Sequence, residues 1–182
     1  MLFIRFDPAI AAASIGQVHR ATTHDGRALA IKVQYPGVRD SIDADVDNVA
    51  TLLRISGMLP KELDFSPLLA EAKRQLHEEA DYEREGAEMM RYRARLEGHD
   101  DFLVPAIAEE FSTGRVLAMD YLPGKPVEAL DEASQDERNR VTTAIITLVL
   151  REMFEFGVMQ TDPNFANYRF QPDTGKLVLL DF

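Results

Sequence analysis

The chain of 182 residues carries a formal net charge of −11, 46% apolar residues and no cysteine. Its acidity argues against nucleic acid as the main partner, because phosphate binding needs a basic face, and gives no support for electrostatic docking on anionic lipid. The lack of cysteine excludes disulfides, thiolate zinc sites and cysteine nucleophiles and fits a reducing compartment, while the apolar content suffices for one domain or two small lobes.

Residues 1–14, MLFIRFDPAIAAAS, end in an A-x-A-like run that resembles a signal-peptide cleavage site. Arg5, Asp7 and Pro8 interrupt the apolar stretch before it reaches the length of an h-region, so it is not read as one. Segments 17–23 and 27–35 alternate or run apolar around His24-Asp25-Gly26, which predicts a hairpin whose second strand stops at Pro36-Gly37. Within 41–57, Val46, Val49, Leu52, Leu53 and Ile55 predict a short helix ending near Gly57. Ser66-Pro67 then opens a proline-free run dense in good helix formers, predicting one long helix over 66–96 in which Gly86 costs about 1 kcal/mol against alanine. Strands are expected at 102–108 and 115–121, with Leu122-Pro123-Gly124 breaking out of the second. Over 136–156, Val141, Ala144, Ile145, Leu148, Val149, Met153 and Phe156 cover a wide arc, predicting a helix buried on most sides. A polar loop and a hairpin, Tyr168–Phe170 and 177–180, complete an α+β order in two parts joined near 121–127. No segment approaches the ~20 apolar residues of a membrane span.

The tail carries the most specific pattern: Asp162, four residues, Asn167, thirteen residues, then Asp181-Phe182. A kinase-type phosphotransfer site needs hard oxygen ligands for Mg²⁺, which one amide and one carboxylate supply, and a further carboxylate to accept a hydroxyl proton or orient a nucleophile. An Asx-rich turn before a hairpin accounts for the same residue types. Upstream, the small residues Ala11 to Gly16 allow a backbone to approach a ligand closely, although a tight turn or a helix start at Ser14 fits them equally. Lys32 lies inside the apolar run Ala30-Ile31-Lys32-Val33, where its ammonium needs partners unless it sits on an edge and points to solvent. The long helical run carries Glu78, Glu79, Asp81, Glu83, Glu85 and Glu88, of which Glu78, Asp81 and Glu85 share one face at helical spacing. A solvated acidic face is the ordinary reading of such a run, and only Lys32 makes one of these carboxylates a candidate buried partner. His19, His24, His77 and His99 show no metal-ligand spacing.

Taken in order, AAASIGQVHRA, AIKVQYPGV, ELDF, EEADYEREGAE and QTDPNFANY through LLDF resemble the UbiB/ADCK family of atypical, protein-kinase-like ATPases over nearly the whole chain. The resemblance implies a protein-kinase-like fold. An N-lobe over 1–124 would hold an antiparallel sheet and long helices, and 125–182 would begin a helical C-lobe. It implies Lys32 as the nucleotide-contacting lysine, Glu85 as its helix partner, and Glu79 and Asp81 as the E-x-D motif. Ala11, Ala12, Ala13, Ser14, Ile15 and Gly16 correspond to the alanine-rich nucleotide loop. Asp162 corresponds to the catalytic-loop aspartate, with Asn167 and Asp181 as Mg²⁺ ligands. The implied cofactors are ATP or ADP with Mg²⁺. The implied context is ubiquinone or related isoprenoid-lipid metabolism, with an isoprenoid lipid or ubiquinone-biosynthesis proteins as partners, in the cytoplasm or peripherally at a membrane. ATP hydrolysis linked to lipid or protein extraction describes the family better than protein phosphorylation.

Three departures qualify the resemblance. The K-x-G-Q motif expected before the alanine-rich loop is absent, and the sequence stops at Asp181-Phe182 before the expected glycine, so a piece of a longer chain is expected. Gln160-Thr161 stand where ordinary protein kinases have His-Arg, leaving no arginine for a phosphorylated activation loop. A non-catalytic nucleotide-binding fragment and a small-molecule kinase of the aminoglycoside or choline type are the competing readings. The alanine-rich loop and E-x-D speak against the second.

Overall fold

A computed structural model describes residues 2–57, 64–159 and 164–180. It is an α+β fold built on two mixed-length sheets. The first has the strand order β1 (Phe3–Ala13), β2 (Gly16–Thr23), β3 (Ala28–Gln34), β5 (Val116–Asp120), antiparallel throughout. The expected hairpin forms at Asp25-Gly26: Gly26 has φ 87°, and its N–H donates to the Thr23 carbonyl at 3.0 Å. Pro8 falls within β1, where the register shifts around it. A proline without an N–H is tolerated there because β1 is an edge strand.

Helix α1 (Val38–Ile55) starts directly after Gly37, whose φ of 78° turns the chain out of β3. The helix expected over 66–96 is two helices, α2 (Ser66–Glu79) and α3 (Tyr82–Arg95). Local propensity favours continuation, and two hydrogen bonds override it. The Asp81 carboxylate accepts from the Arg84 N–H and caps α3, and the Gln34 side-chain amide donates to the Ala80 carbonyl at 2.7 Å. The break also voids the shared face of Glu78, Asp81 and Glu85.

The strand pair expected at 102–108 and 115–121 forms only in part. Phe102–Leu103 (β4) leaves to pair in parallel with β8 (Leu177–Leu179) in the second sheet, whose order is β4-β8-β7-β6, with β7 at Tyr168–Phe170 and β6 at Lys125–Pro126. The buried Pro105 has no N–H to continue a ladder. Beyond it, the chain meets β5 through Ala108 N–H to Ala118 O and Asp120 N–H to Ala106 O, both 2.9 Å.

Helix α4 (Gln135–Arg151) is capped by Ser134, which accepts from the Glu137 N–H, and widens into a π-helical turn over Glu152–Phe156 before Gly157. It is not buried on most sides. Val141 and Leu148 are buried and Ala144, Ile145 and Phe156 pack partly, but Ile146, Val149, Leu150, Met153 and Phe154 face outward. One apolar cluster joins the layers, from Ile15, Tyr82, Met89 and Leu117 through Tyr92 and Phe102 to Leu148, Tyr168, Phe170 and Leu179. No helix among the described residues is long and apolar enough to cross a membrane.

Candidate phosphotransfer site

Strand alternation puts Leu29 and Ile31 on the buried face of the first sheet and turns Lys32 to the other face, toward α3. The Lys32 ammonium donates to both carboxylate oxygens of Glu85, at 2.7 and 2.9 Å, and lies 5.1 Å from the centre of the Tyr82 ring. The two side chains are 14% and 11% exposed. Lys32 is therefore not an edge lysine pointing to solvent. The pairing depends on how closely α3 approaches the sheet. A Cβ on Gly86 would stand 3.1 Å from Leu117 Cδ1, so the glycine that weakens the helix locally also lets it lie against β5. Asp81 fixes where α3 begins and hence which residue meets Lys32, and Glu85 stands in the favourable N-terminal turn of that helix.

The alanine-rich segment is mostly strand. Ala11, Ala12 and Ala13 pair with Val18, Gln17 and Gly16, and Ser14-Ile15 form the turn between them, with no helix start at Ser14. Ile15 points into the core, and its carbonyl accepts from the Tyr35 N–H at 3.0 Å. Gly16 is packed so tightly that a Cβ there would lie 2.2 Å from the Val33 carbonyl oxygen and 3.0 Å from the Tyr82 hydroxyl. The Ser14 hydroxyl donates to Glu79 at the end of α2. The acidic residues thus divide their tasks: Glu79 holds the hairpin tip, Asp81 caps α3, and Glu85 holds Lys32. Glu78 stays on the surface between Arg84 and Arg74, whose hydrogen bonds hold its carboxyl below the usual range.

Asn167 closes the 3₁₀ turn Phe165–Asn167, opened by the Asn164 side chain accepting from the Ala166 N–H at 3.0 Å, so the Asx-turn reading of this stretch is also correct. Its backbone carbonyl accepts from the Leu180 N–H at 2.9 Å, which brings the end of β8 against Asn167. Asp162 and Asp181 lie outside the described residues. Among the described residues no three acidic or histidine side chains gather closely enough to hold a metal.

Sequence reading did not single out Gln34 or Glu152, both buried polar groups. Gln34, two residues after Lys32, is a polar residue closing an apolar strand, a signal of the same kind that singled out Lys32. Glu152, 3% exposed, accepts a hydrogen bond from the Tyr92 hydroxyl. A glutamate following Val141, Ala144, Ile145 and Leu148 at helical spacing was its signal. Burial first, and Glu152 second, push the Tyr92 phenol well above its ordinary pKa.

The chain matches the ABC1 atypical kinase-like domain over residues 1–182. It is 43% identical over 180 residues to the mitochondrial atypical kinase coq-8 of Caenorhabditis elegans, covering 97% of this chain and 24% of that protein. It is 40% identical over 181 residues to the mitochondrial atypical kinase COQ8 of Saccharomyces cerevisiae, covering 99% and 36%. The chain therefore spans about a quarter to a third of these relatives. The solved Rv3197–erythromycin complex from Mycobacterium tuberculosis superposes with TM-score 0.82 at 28% identity, over 100% of this chain and 46% of that one.

Proposed function

The chain belongs to the ABC1 atypical kinase-like family, and we propose that it binds ATP or ADP with Mg²⁺ between the part through residue 124 and residues 125–182. The observation that carries this is the Lys32–Glu85 pair, a largely buried ammonium held by both oxygens of one carboxylate. Glu85 orients Lys32 so that its ammonium meets the nucleotide phosphates. The hairpin tip from Ala11 to Gly16, tied to α2 by Ser14 and Glu79, covers the nucleotide. The donor set suits Mg²⁺: Asn167 offers a hard amide oxygen, and Asp181, assigned from the resemblance, a hard carboxylate. When bound, the ion neutralises charge on adjacent phosphates. Asp162 is assigned the role of accepting a hydroxyl proton or orienting the nucleophile.

By kinship with the COQ8 proteins, we place this activity in support of ubiquinone or related isoprenoid-lipid metabolism. The test is a thermal-shift titration with Mg·ATP and Mg·ADP. Wild type is expected to gain stability with concentration, and Lys32→Met and Asp181→Asn to lose most of that response. Variants that respond like wild type would overturn the assignment.

A further inference from the structure

Glu152 is an acidic residue in the core with no role in the site described above. It sits at the first position of the π-helical turn that ends α4, and such turns occur often where function needs a local departure from the α-helix. Its partner, Tyr92, lies on α3 seven residues after Glu85. Glu85, Met89 and Tyr92 thus recur at i, i+4 and i+7 on one face, with Glu85 and Tyr92 separated by about 10.5 Å of axial rise. The same helix therefore delivers Glu85 to Lys32 at one end and Tyr92 to Glu152 at the other.

Further contacts surround that second junction. The Tyr92 and Phe156 rings meet edge-on at 6.3 Å, the Arg95 guanidinium donates to the Phe156 carbonyl, and Arg151 reaches the His99 ring just past α3. Tyr168 is buried in the same apolar cluster as Tyr92. Tyr168 directly follows Asn167, whose carbonyl holds Leu180. A line of groups, hydrogen-bonded from Lys32 to Glu85 and from Tyr92 to Glu152 and joined by α3, therefore reaches the apolar cluster that holds Tyr168, the neighbour of Asn167.

We infer that Glu152, gripped by Tyr92, is a positioning residue that couples the Glu85 helix to the Asn167 turn. Burying a carboxylate where an apolar residue would pack is costly unless its hydrogen bonds are met, so the site is tolerant of little movement. A shift of α3 that loosens Lys32–Glu85 also withdraws the Tyr92 hydroxyl, and the Asn167 turn loses its support. This inference rests on the proposed nucleotide site for its consequence but not for its structural content.

The experiment uses the whole chain with Tyr92→Phe, Glu152→Gln and Glu152→Leu, and Lys32→Met as control. Hydrogen exchange is read at 82–95 and 164–170. ATP affinity is measured by calorimetry with and without Mg²⁺. Tyr92→Phe removes a single oxygen and is expected to fold. It and Glu152→Leu are expected to speed exchange by about ten-fold in both segments together. They are also expected to reduce the Mg²⁺-dependent gain in ATP affinity about ten- to a hundred-fold, the scale seen for groups that support metal ligands, while metal-free affinity stays within about two-fold. Glu152→Gln, which keeps an acceptor for Tyr92, is expected to stay near wild type. Faster exchange confined to 82–95, or an unchanged Mg²⁺ gain in destabilised variants, would overturn the coupling. If wild type binds no ATP, the nucleotide reading fails while the exchange measurement still decides the coupling.

Discussion

The Lys32–Glu85 pair gives the sharpest energetic test. Both groups are mostly covered, at 14% and 11% exposure, and Lys32→Met takes the ammonium away from the Glu85 carboxylate. Breaking a fully buried pair from one side costs about 3–5 kcal/mol, and an exposed pair is worth about 0–1. The residual exposure puts Lys32→Met near the lower end of the first range, at about 3 kcal/mol. Removing both charges in Lys32→Met/Glu85→Leu eliminates the stranded carboxylate, so the double variant is expected to recover to within about 1 kcal/mol of wild type. Urea unfolding without nucleotide measures these together with the single variant Glu85→Leu, and the cycle should give a coupling of at least about 2 kcal/mol. A single-variant loss below about 1 kcal/mol would show that water screens the pair as it screens a surface one. A double variant less stable than either single variant would contradict the stranded-charge account. The double variant is also expected to be stable yet unresponsive to nucleotide, separating folding from binding.

Other expectations follow from packing and ionisation. Gly16→Ala places a Cβ 2.2 Å from the Val33 carbonyl and should cost about 1–3 kcal/mol by chemical denaturation; wild-type stability would refute the close approach. Leu148→Ala, at a position 1% exposed, should cost about 2–5 kcal/mol, whereas Phe154→Ser, at one 80% exposed, should change unfolding by under about 0.5. The Tyr92 phenol is raised above its unfolded value of 10.0, so the folded state keeps a proton that the unfolded state releases. This contribution is fully present below about pH 10 and is lost as pH rises beyond it. Tyr92→Phe should be less stable at neutral pH and show a shallower alkaline decline, and an unchanged slope would remove Tyr92 as its source.

What the sequence revealed divides along the range of the interactions. The Asp25-Gly26 hairpin, the Lys32 strand and the Tyr168–Phe170 hairpin were legible because turn chemistry and alternation act within a few residues. The reach of α4's apolar arc was also legible, but its burial was not, because burial depends on which neighbours are there to pack against. The recruitment of Phe102–Leu103 to β8 could not be read locally, since the partner strand lies more than seventy positions away in the sequence. Within the site, residue types and order identified Lys32 and Glu85 through resemblance, and the structure joins them. Glu152 was hidden because apolar neighbours at helical spacing dominated the reading of its helix.

The break between α2 and α3 has a geometric consequence for the E-x-D motif. In a continuous helix successive residues turn by about 100°, so Glu79 and Asp81 would point about 200° apart and could not serve one site together. Ending α2 at Glu79 and restarting at Tyr82 removes that constraint. Glu79 then reaches the Ser14 turn, and Asp81 turns inward along the chain to cap the helix that presents Glu85. Gln34 secures the break by binding the Ala80 carbonyl from the same strand that carries Lys32. The lysine strand therefore fixes both the place where α3 starts and the carboxylate that α3 delivers, so the position of Glu85 is determined by β3 at two points rather than by helix propensity.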